Sequence, residues 1–363
     1  MIKEINTFHS GKYTFDSTLK GAAASINTIL EFLENTPVFP HTVNHLKKIS
    51  AGEFVYFNGK IEKSSITLEL VENIIQHNRD NFSQDMSALA TANFYTALKY
   101  VNNNIDKELT PELIHNVHNE LIEGIQGIKD KPGQYRNGGA KADEKWLEKP
   151  FTPVASTLDI NFIVKNITET LNSEMGDVNP LIKGIMLHLH LKKVQPYNNA
   201  NGDTARLLEF WYLKKNGLET IAGILSRIYA EKVEEYYKVM SEFYETSDIS
   251  PFLSFIAGEL DNIFDDVRRE NNRIMMQISI DYYLNKLLTE KSLIKRQYEF
   301  LKLIKDKNIT FTHEDLQLKK EFTKLYGKVS RTTVSRDITK FLEMNLIVES
   351  GERYSFNTNI MKF

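Results

Sequence analysis

The segment Val194–Arg206, VQPYNNANGDTAR, holds the residues best placed for chemistry. Asn199-Ala200-Asn201-Gly202 is a run of small and amide residues, and Asp203–Lys215 reads as a helix that follows it. A helix start of this kind presents unpaired backbone N–H groups and the positive end of the helix dipole, which together suit a phosphate or another anion. An ordinary turn has the same composition, so the loop alone leaves both readings open. Upstream, His188 and His190 sit two apart on one expected helix. That spacing points them roughly 200° apart, so they do not share a metal ion, and a hydrogen-bonded structural role is expected for His188. The chain has no cysteine, which excludes disulfides, thiolate metal sites and thiolate nucleophiles. A reducing, cytoplasmic setting is the expectation.

The elements that must position this segment are mostly helical. The chain has 363 residues, enough for two or three domains, and 41% of them are hydrophobic, enough for a sizeable core. The opening MIKEINTFHSGKY lacks the apolar stretch of a targeting peptide, and no run long enough to span a bilayer occurs. Apolar residues at i, i+3, i+4 spacing predict helices over Thr18–Glu34, Ser64–Arg79, Met86–Asn102, Thr110–Ile125, Leu158–Asn172, Pro180–Lys193, Asp203–Lys215, Ala230–Tyr244 and Pro251–Leu284. Thr110-Pro111 and Asn179-Pro180 mark helix starts, and Asn216-Gly217 marks a stop. Gly133–Pro153 is rich in Gly and Pro and reads as a loop with a small β-hairpin. Tyr135, Trp146 and Phe151 flank it, suited either to an extended-peptide docking surface or to packing at the loop base.

The charge changes near the C-terminus. Lys286–Phe363 carries 16 Lys and Arg against 10 Asp and Glu, whereas the preceding part carries 29 against 38. Such asymmetry predicts a separate domain with its own partner. Its pattern is a helix over Gln297–Lys305, helical Glu314–Tyr326, helical Ser330–Met344, and two extended runs, Leu346–Glu349 and Arg353–Phe356. This resembles a winged helix-turn-helix. Ser330 would cap a recognition helix whose buried face is Val334, Ile338, Phe341 and Leu342. Arg331, Thr332, Thr333, Ser335 and Arg336 would face DNA. A small helical domain for protein docking is the competing reading.

The run Pro180–His190 followed by Val194–Leu208 resembles the signature of the Fic (Fido domain) family, His-Pro-Phe-x-Asp/Glu-Gly-Asn-Gly-Arg-x-x-Arg between two helices. Pro196, Asn201, Gly202 and Arg206 match outright, and Tyr197 replaces the Phe. Lys131–Arg136 resembles the family's segment before its target-docking hairpin, and Phe151-Thr152-Pro153 the return from it. The resemblance covers roughly residues 87–260, and family members with winged-helix domains exist. It implies a mainly α fold: an N-terminal helical region at 1–85, a Fic helical core with a small β-hairpin at 86–285, and a winged helix at 286–363.

A typical Fic protein moves AMP from ATP to a protein hydroxyl. Its His is the general base, its acid holds Mg²⁺, and its glycines and two arginines cradle phosphates. Here Gln195 replaces the His, Asn199 the acid, Ala200 the first Gly and Asp203 the first Arg. Gln195 takes no proton at neutral pH, and a lost general base costs about 10²–10⁴ in rate. Asn199 is a poor Mg²⁺ ligand, and Asp203 repels a triphosphate. Asn201, Gly202 and Arg206 keep their nucleotide-binding roles. The resemblance therefore implies a protein with a degenerate motif and impaired catalysis, binding ATP with Mg²⁺ weakly. Docking of a target protein at the hairpin and binding of DNA through the C-terminal domain are expected, with no membrane partner. The alternative is an active enzyme that transfers AMP or another phosphate-containing group. Ser65 through Glu69 resembles the inhibitory helix motif of some Fic proteins, which implies a Glu69–Arg206 ion pair.

Overall fold

The computed structural model describes residues 5–6, 12–13, 21, 24–29, 31, 49–62, 66–77, 79–82, 84–128, 131, 133–138, 153, 156–173 and 178–361. The chain folds as two units, Met1–Val267 and Arg268–Phe363. Among its described residues the first unit is helical apart from a two-stranded antiparallel pair, β1 (Ile5–Asn6) and β2 (Lys12–Tyr13). The hairpin expected within Gly133–Pro153, with Trp146 and Phe151, falls on residues 139–152, outside the described residues.

From Ala51 onward the first unit runs through α1 (Ala51–Ile61) and α2 (Leu68–Ile75), followed by α3 (Met86–Asn103), α4 (Pro111–Ile122) and α5 (Thr157–Asn172). Then come α6 (Pro180–Val194), α7 (Asn201–Lys215), α8 (Glu219–Glu231), α9 (Val233–Thr246) and α10 (Ser250–Thr289), of which the residues up to Val267 belong to this unit. Local signals set the starts. Ser50 and Glu53 form a reciprocal capping box on α1, Thr110 accepts from Leu113 N–H at 3.1 Å, and Asn179 accepts from Leu181 N–H at 2.8 Å. The prolines after the last two caps occupy first-turn positions that need no N–H.

α6 and α7 are the centre of this unit. Nearly every residue from Leu181 to Val194 and from Thr204 to Leu213 is buried. Helices buried on nearly every side must be enclosed, and α3, α4, α5, α8 and α9 enclose these two. The pair approaches closely at Gly184, where a Cβ would lie 2.7 Å from Leu213 Cδ2. The Val194–Arg206 segment is the corner between them.

Two expectations are corrected. Ala230–Tyr244 is not one helix: α8 ends at Glu231 and α9 starts at Val233. α1 lies where no helix is predicted. It joins the same core as the helices after Met86 through Phe54, Val55 and Ile61.

The second unit has its own core around Phe300, Phe311, Phe322, Tyr326 and Phe341. Ile280 and Leu284 of α10 belong to it, so it begins before Lys286. Its elements are α11 (Lys295–Asp306), α12 (Asp315–Leu318), α13 (Lys320–Tyr326), α14 (Arg331–Glu343), β3 (Ile347–Ser350) and β4 (Arg353–Phe356). β3 and β4 pair antiparallel, and Phe311 bridges to Tyr354 beside them. Glu314–Tyr326 splits because Lys319 is extended, at φ −76° and ψ 131°. Ser330 caps α14, and Val334, Ile338 and Phe341 are buried on it. Asp337 is buried on the same face, accepting from Gln297 at 2.6 Å and Tyr326 at 2.9 Å and paired with Arg296 at 2.7 Å. Among the described residues no helix is long and apolar enough to cross a membrane.

Candidate functional site

The corner is built by one arginine and one asparagine. α6 ends at Gln195, whose backbone is left-handed at φ 46° and ψ 68°. Its last carbonyls point at Arg136: Nε donates to Gln195 O at 2.6 Å and Nη2 to Val194 O at 3.1 Å. A guanidinium there satisfies orphan carbonyls and meets the negative end of the helix dipole. Asn201 then closes the loop. Its Oδ1 accepts from Tyr197 N–H at 3.0 Å and its Nδ2 donates to Tyr197 O at 2.8 Å. Tyr197 is fully buried. Its ring stacks on His118 at 3.5 Å, and its hydroxyl meets His115 Nδ1 at 2.9 Å. His118 Nε2 also reaches Asn199 O at 3.3 Å.

α7 starts at Asn201 from a left-handed Ala200, which offers no side-chain cap. Asp203 lies in the first turn and Arg206 one turn further in. Arg206 has only 2% of its side chain exposed, yet its charge is heavily engaged. Nη2 pairs with Glu62 at 2.7 Å and with Asp203 at 2.6 Å, and Nε donates to Asn58 Oδ1 at 2.8 Å. Asn58 is itself held by Ser226 Oγ and Phe54 O, both at 2.8 Å.

Beside Asp203 of its own helix, the carboxylate that reaches Arg206 from the N-terminal helices is therefore Glu62 and not Glu69. Glu69 is exposed in the first turn of α2, and Ser65 lies outside the described residues. The reason is positional: Glu62 follows directly on α1, which packs beside α8 and carries Asn58 and Glu62 to the guanidinium. Packing around the Glu62 carboxyl works to raise it, although 46% of the side chain meets solvent, and the charges of Arg206 and Lys192 outweigh that packing and hold the carboxyl below its ordinary value. Asp203 is pushed up to about 6 by burial, against the pull of Arg206 and with a further push from Glu62. Burial works to lower Arg206, and the two carboxylates drive it well above its ordinary value. Sequence reasoning missed Asn58 and Glu62, although the Ser50–Glu53 capping box was a readable helix start.

Below the corner, the histidines of α6 go separate ways. His188 Nδ1 lies 3.0 Å from Glu209 Oε2, and its Nε2 lies 3.0 Å from Tyr236 Oη. Tyr229 also donates to Glu209 Oε1 at 3.0 Å. His190 Nδ1 bonds Met186 O at 2.7 Å. Burial lowers both imidazoles, His190 to about 3. Among the described residues no group of three or more His, Asp or Glu is arranged to hold a metal ion.

An acid-unfolding prediction follows. Both histidines are neutral when folded and return to about 6.5 when unfolded, so the unfolded chain binds more protons below that pH. Their contribution is complete above about pH 6.5 and is lost as pH falls toward the folded value of about 3 for His190. Asp203 acts oppositely, since its raised value favours the folded chain as pH falls from about 6 toward 3.8. Urea titrations between pH 7 and 5 are expected to show falling stability, with a shallower slope for His190→Gln.

The sequence model of the Fic/DOC family matches residues 108–213, the stretch from just before α4's cap to near the end of α7. The chain is 29% identical over 100 residues to "Protein adenylyltransferase Fic" of Aedes aegypti, covering 27% of this chain and 19% of that protein. It is 23% identical over 218 residues to the protein of the same name from Drosophila erecta, covering 58% of this chain and 40% of that one. The chain thus spans well under half the length of these relatives. Among solved structures it is similar to a Fic family protein from Desulfovibrio desulfuricans G20, at 17% identity and a TM-score of 0.53, covering 95% of this chain and 97% of that one. It is also similar to Fic-1 from C. elegans, at 18% identity and a TM-score of 0.50, covering 70% and 73% of the two chains. These likenesses establish a Fic-type fold.

Proposed function

We propose that this chain, Fic-like over residues 108–213, binds a nucleotide or other phosphate-bearing ligand at the start of α7 without transferring AMP, and acts as a regulator. One observation carries the reading. The residue at the end of α6, where the Fic motif has its base, is Gln195, a buried amide. The two imidazoles that touch the loop do not replace it, because His118 lies flat against Tyr197 and His115 is bonded to the Tyr197 hydroxyl. Asn199 stands where an acid would hold Mg²⁺, and Arg206 is occupied by Glu62 and Asp203. Binding is supported by the surviving Asn201-Gly202 start of α7 and by the Arg206 guanidinium. Incubation with labelled ATP and Mg²⁺ tests the reading: no AMP is expected on the protein, and robust covalent labelling would make it an active transferase.

The regulatory part rests on the second unit, which we read as a winged helix that binds DNA. Arg331, Thr332, Ser335 and Arg336 are exposed on α14, with Thr333 half-buried, and β3 and β4 would form the wing. Docking of a target protein at residues 139–152 belongs to the same proposal. Gel shifts on DNA across a salt series are expected to show affinity falling steeply with salt, and Arg331→Ala/Arg336→Ala is expected to flatten that slope. Absence of any shift at low salt would favour the protein-docking reading.

A further inference from the structure

Lys192 is a buried charge that pulls on the Glu62 carboxylate from α6. It lies in the last turn of α6 and is only 2% exposed, a placement that a lysine tolerates only with electrostatic partners. Its ammonium is 5.4 Å from the centre of the Tyr237 ring. Gly202 locates it more closely. A Cβ at Gly202 would stand 3.4 Å from Lys192 Nζ, 3.1 Å from Arg206 Nη1 and 2.8 Å from Glu62 Oε1. Two cations from different helices and one carboxylate therefore converge on the first turn of α7.

Donor capacity remains at that point. Arg206 Nη1 is buried without a hydrogen-bond partner, although Nε and Nη2 are engaged. A buried donor left unpaired is destabilising, so it marks a place where an acceptor belongs. Ala200 gives α7 no side-chain cap, which keeps its dipole end suited to an external anion.

We propose that Lys192 is a ligand-contacting residue. With Arg206 it forms a two-cation, metal-independent clamp for a terminal phosphate, supplying from α6 the charge that Asp203 does not supply from α7. The inference rests on the phosphate-binding reading above. The Glu62 carboxylate occupies the clamp until the phosphate displaces it. Glu62 is the member able to move: it sits at the end of α1 with 46% of its side chain exposed, whereas Asp203 is fixed within the first turn of α7. With Glu62 in place, the charges of Lys192, Arg206, Glu62 and Asp203 cancel. With Glu62 withdrawn, they leave one net positive charge beside a helix N-terminus. No metal is required, since the cations take over the neutralisation that Mg²⁺ gives when a carboxylate holds it. The competing role for Lys192 is that of a countercharge to Glu62 and Asp203, touching no ligand.

Calorimetry of the full chain with ATP in EDTA separates these roles. Glu62→Gln is expected to bind ATP about tenfold more tightly than the unaltered chain. Adding Lys192→Met is expected to remove about tenfold or more, as loss of a charge-assisted hydrogen bond does, and Lys192→Arg should stay within about threefold. If Lys192→Met in the Glu62→Gln chain binds ATP unchanged, Lys192 is only a countercharge and the phosphate-binding reading stands. If neither the unaltered chain nor Glu62→Gln binds ATP, both are overturned. Should Lys192→Met not fold, the Lys192 Nζ signal of ¹⁵N-labelled Glu62→Gln decides. It is expected to shift on ATP addition, and an unmoved signal at saturation overturns the assignment.

Discussion

A chain carrying Gln195→His, Asn199→Asp, Asp203→Arg and Glu62→Gln is expected to label itself with AMP at least about 100-fold faster than the unaltered chain. The largest share comes from Gln195→His, since a positioned general base supplies about 10²–10⁴ in rate. The backbone there suits the change. Residue 195 is left-handed, a region in which His is among the better tolerated side chains, and Arg136 fixes the peptide through the backbone alone. Asn199→Asp restores a carboxylate for Mg²⁺, and Asp203→Arg replaces a repulsive charge with an attractive one. Glu62→Gln frees Arg206, so the other three changes without it should give a weaker signal. Label incorporation from ATP and Mg²⁺, followed with time, checks the order. Gln195→His should be present in every active combination. An inactive fourfold variant that still folds would mean that the Tyr197–Asn201 staple does not place the loop for catalysis.

That prediction depends on how much of the corner was legible in the sequence. The helix starts at Thr110, Asn179 and Ser330 were readable because capping is a contact between residues two or three apart. α6 and α7 were readable from their length and apolar content, although burial on all sides erases the usual polar stripe. α1 was not read, because Gly52, Asn58 and Gly59 interrupt its apolar pattern. The cost was the partner of Arg206. Glu62 and Arg206 lie 144 positions apart, and only the packing of α1 against α8 brings Asn58 and Glu62 within reach. A local motif search lands instead on Glu69, one helix too late. Arg136 carries the same lesson, since its partners at Val194 and Gln195 are set by tertiary placement. Lys319 shows a smaller limit: nothing in Glu314–Tyr326 announces the single extended residue that splits α12 from α13.

The largest stability effect is expected deeper in the same helix pair. Glu209 projects from α7 into the core, where Tyr229 donates to it and His188 Nδ1 lies 3.0 Å from its other oxygen. Both side chains of the His188–Glu209 pair are essentially without solvent, at 0% and 4% exposure. Removing one partner from a buried pair costs about 3–5 kcal/mol, mostly because the other is left unpaired. His188→Leu is therefore expected to lower the melting temperature by on the order of 10 °C. Glu209→Leu should cost less, since it leaves the polar ends of His188 and Tyr229 without an acceptor but strands no charge. The double variant His188→Leu/Glu209→Leu should be more stable than His188→Leu alone, because it removes the stranded carboxylate along with its lost partner. Urea denaturation of the four chains measures this coupling. Simple additivity of the two losses would mean that Glu209 draws its stabilisation from Tyr229, and that His188 serves the core chiefly through its ring packing on Tyr229 and Tyr236.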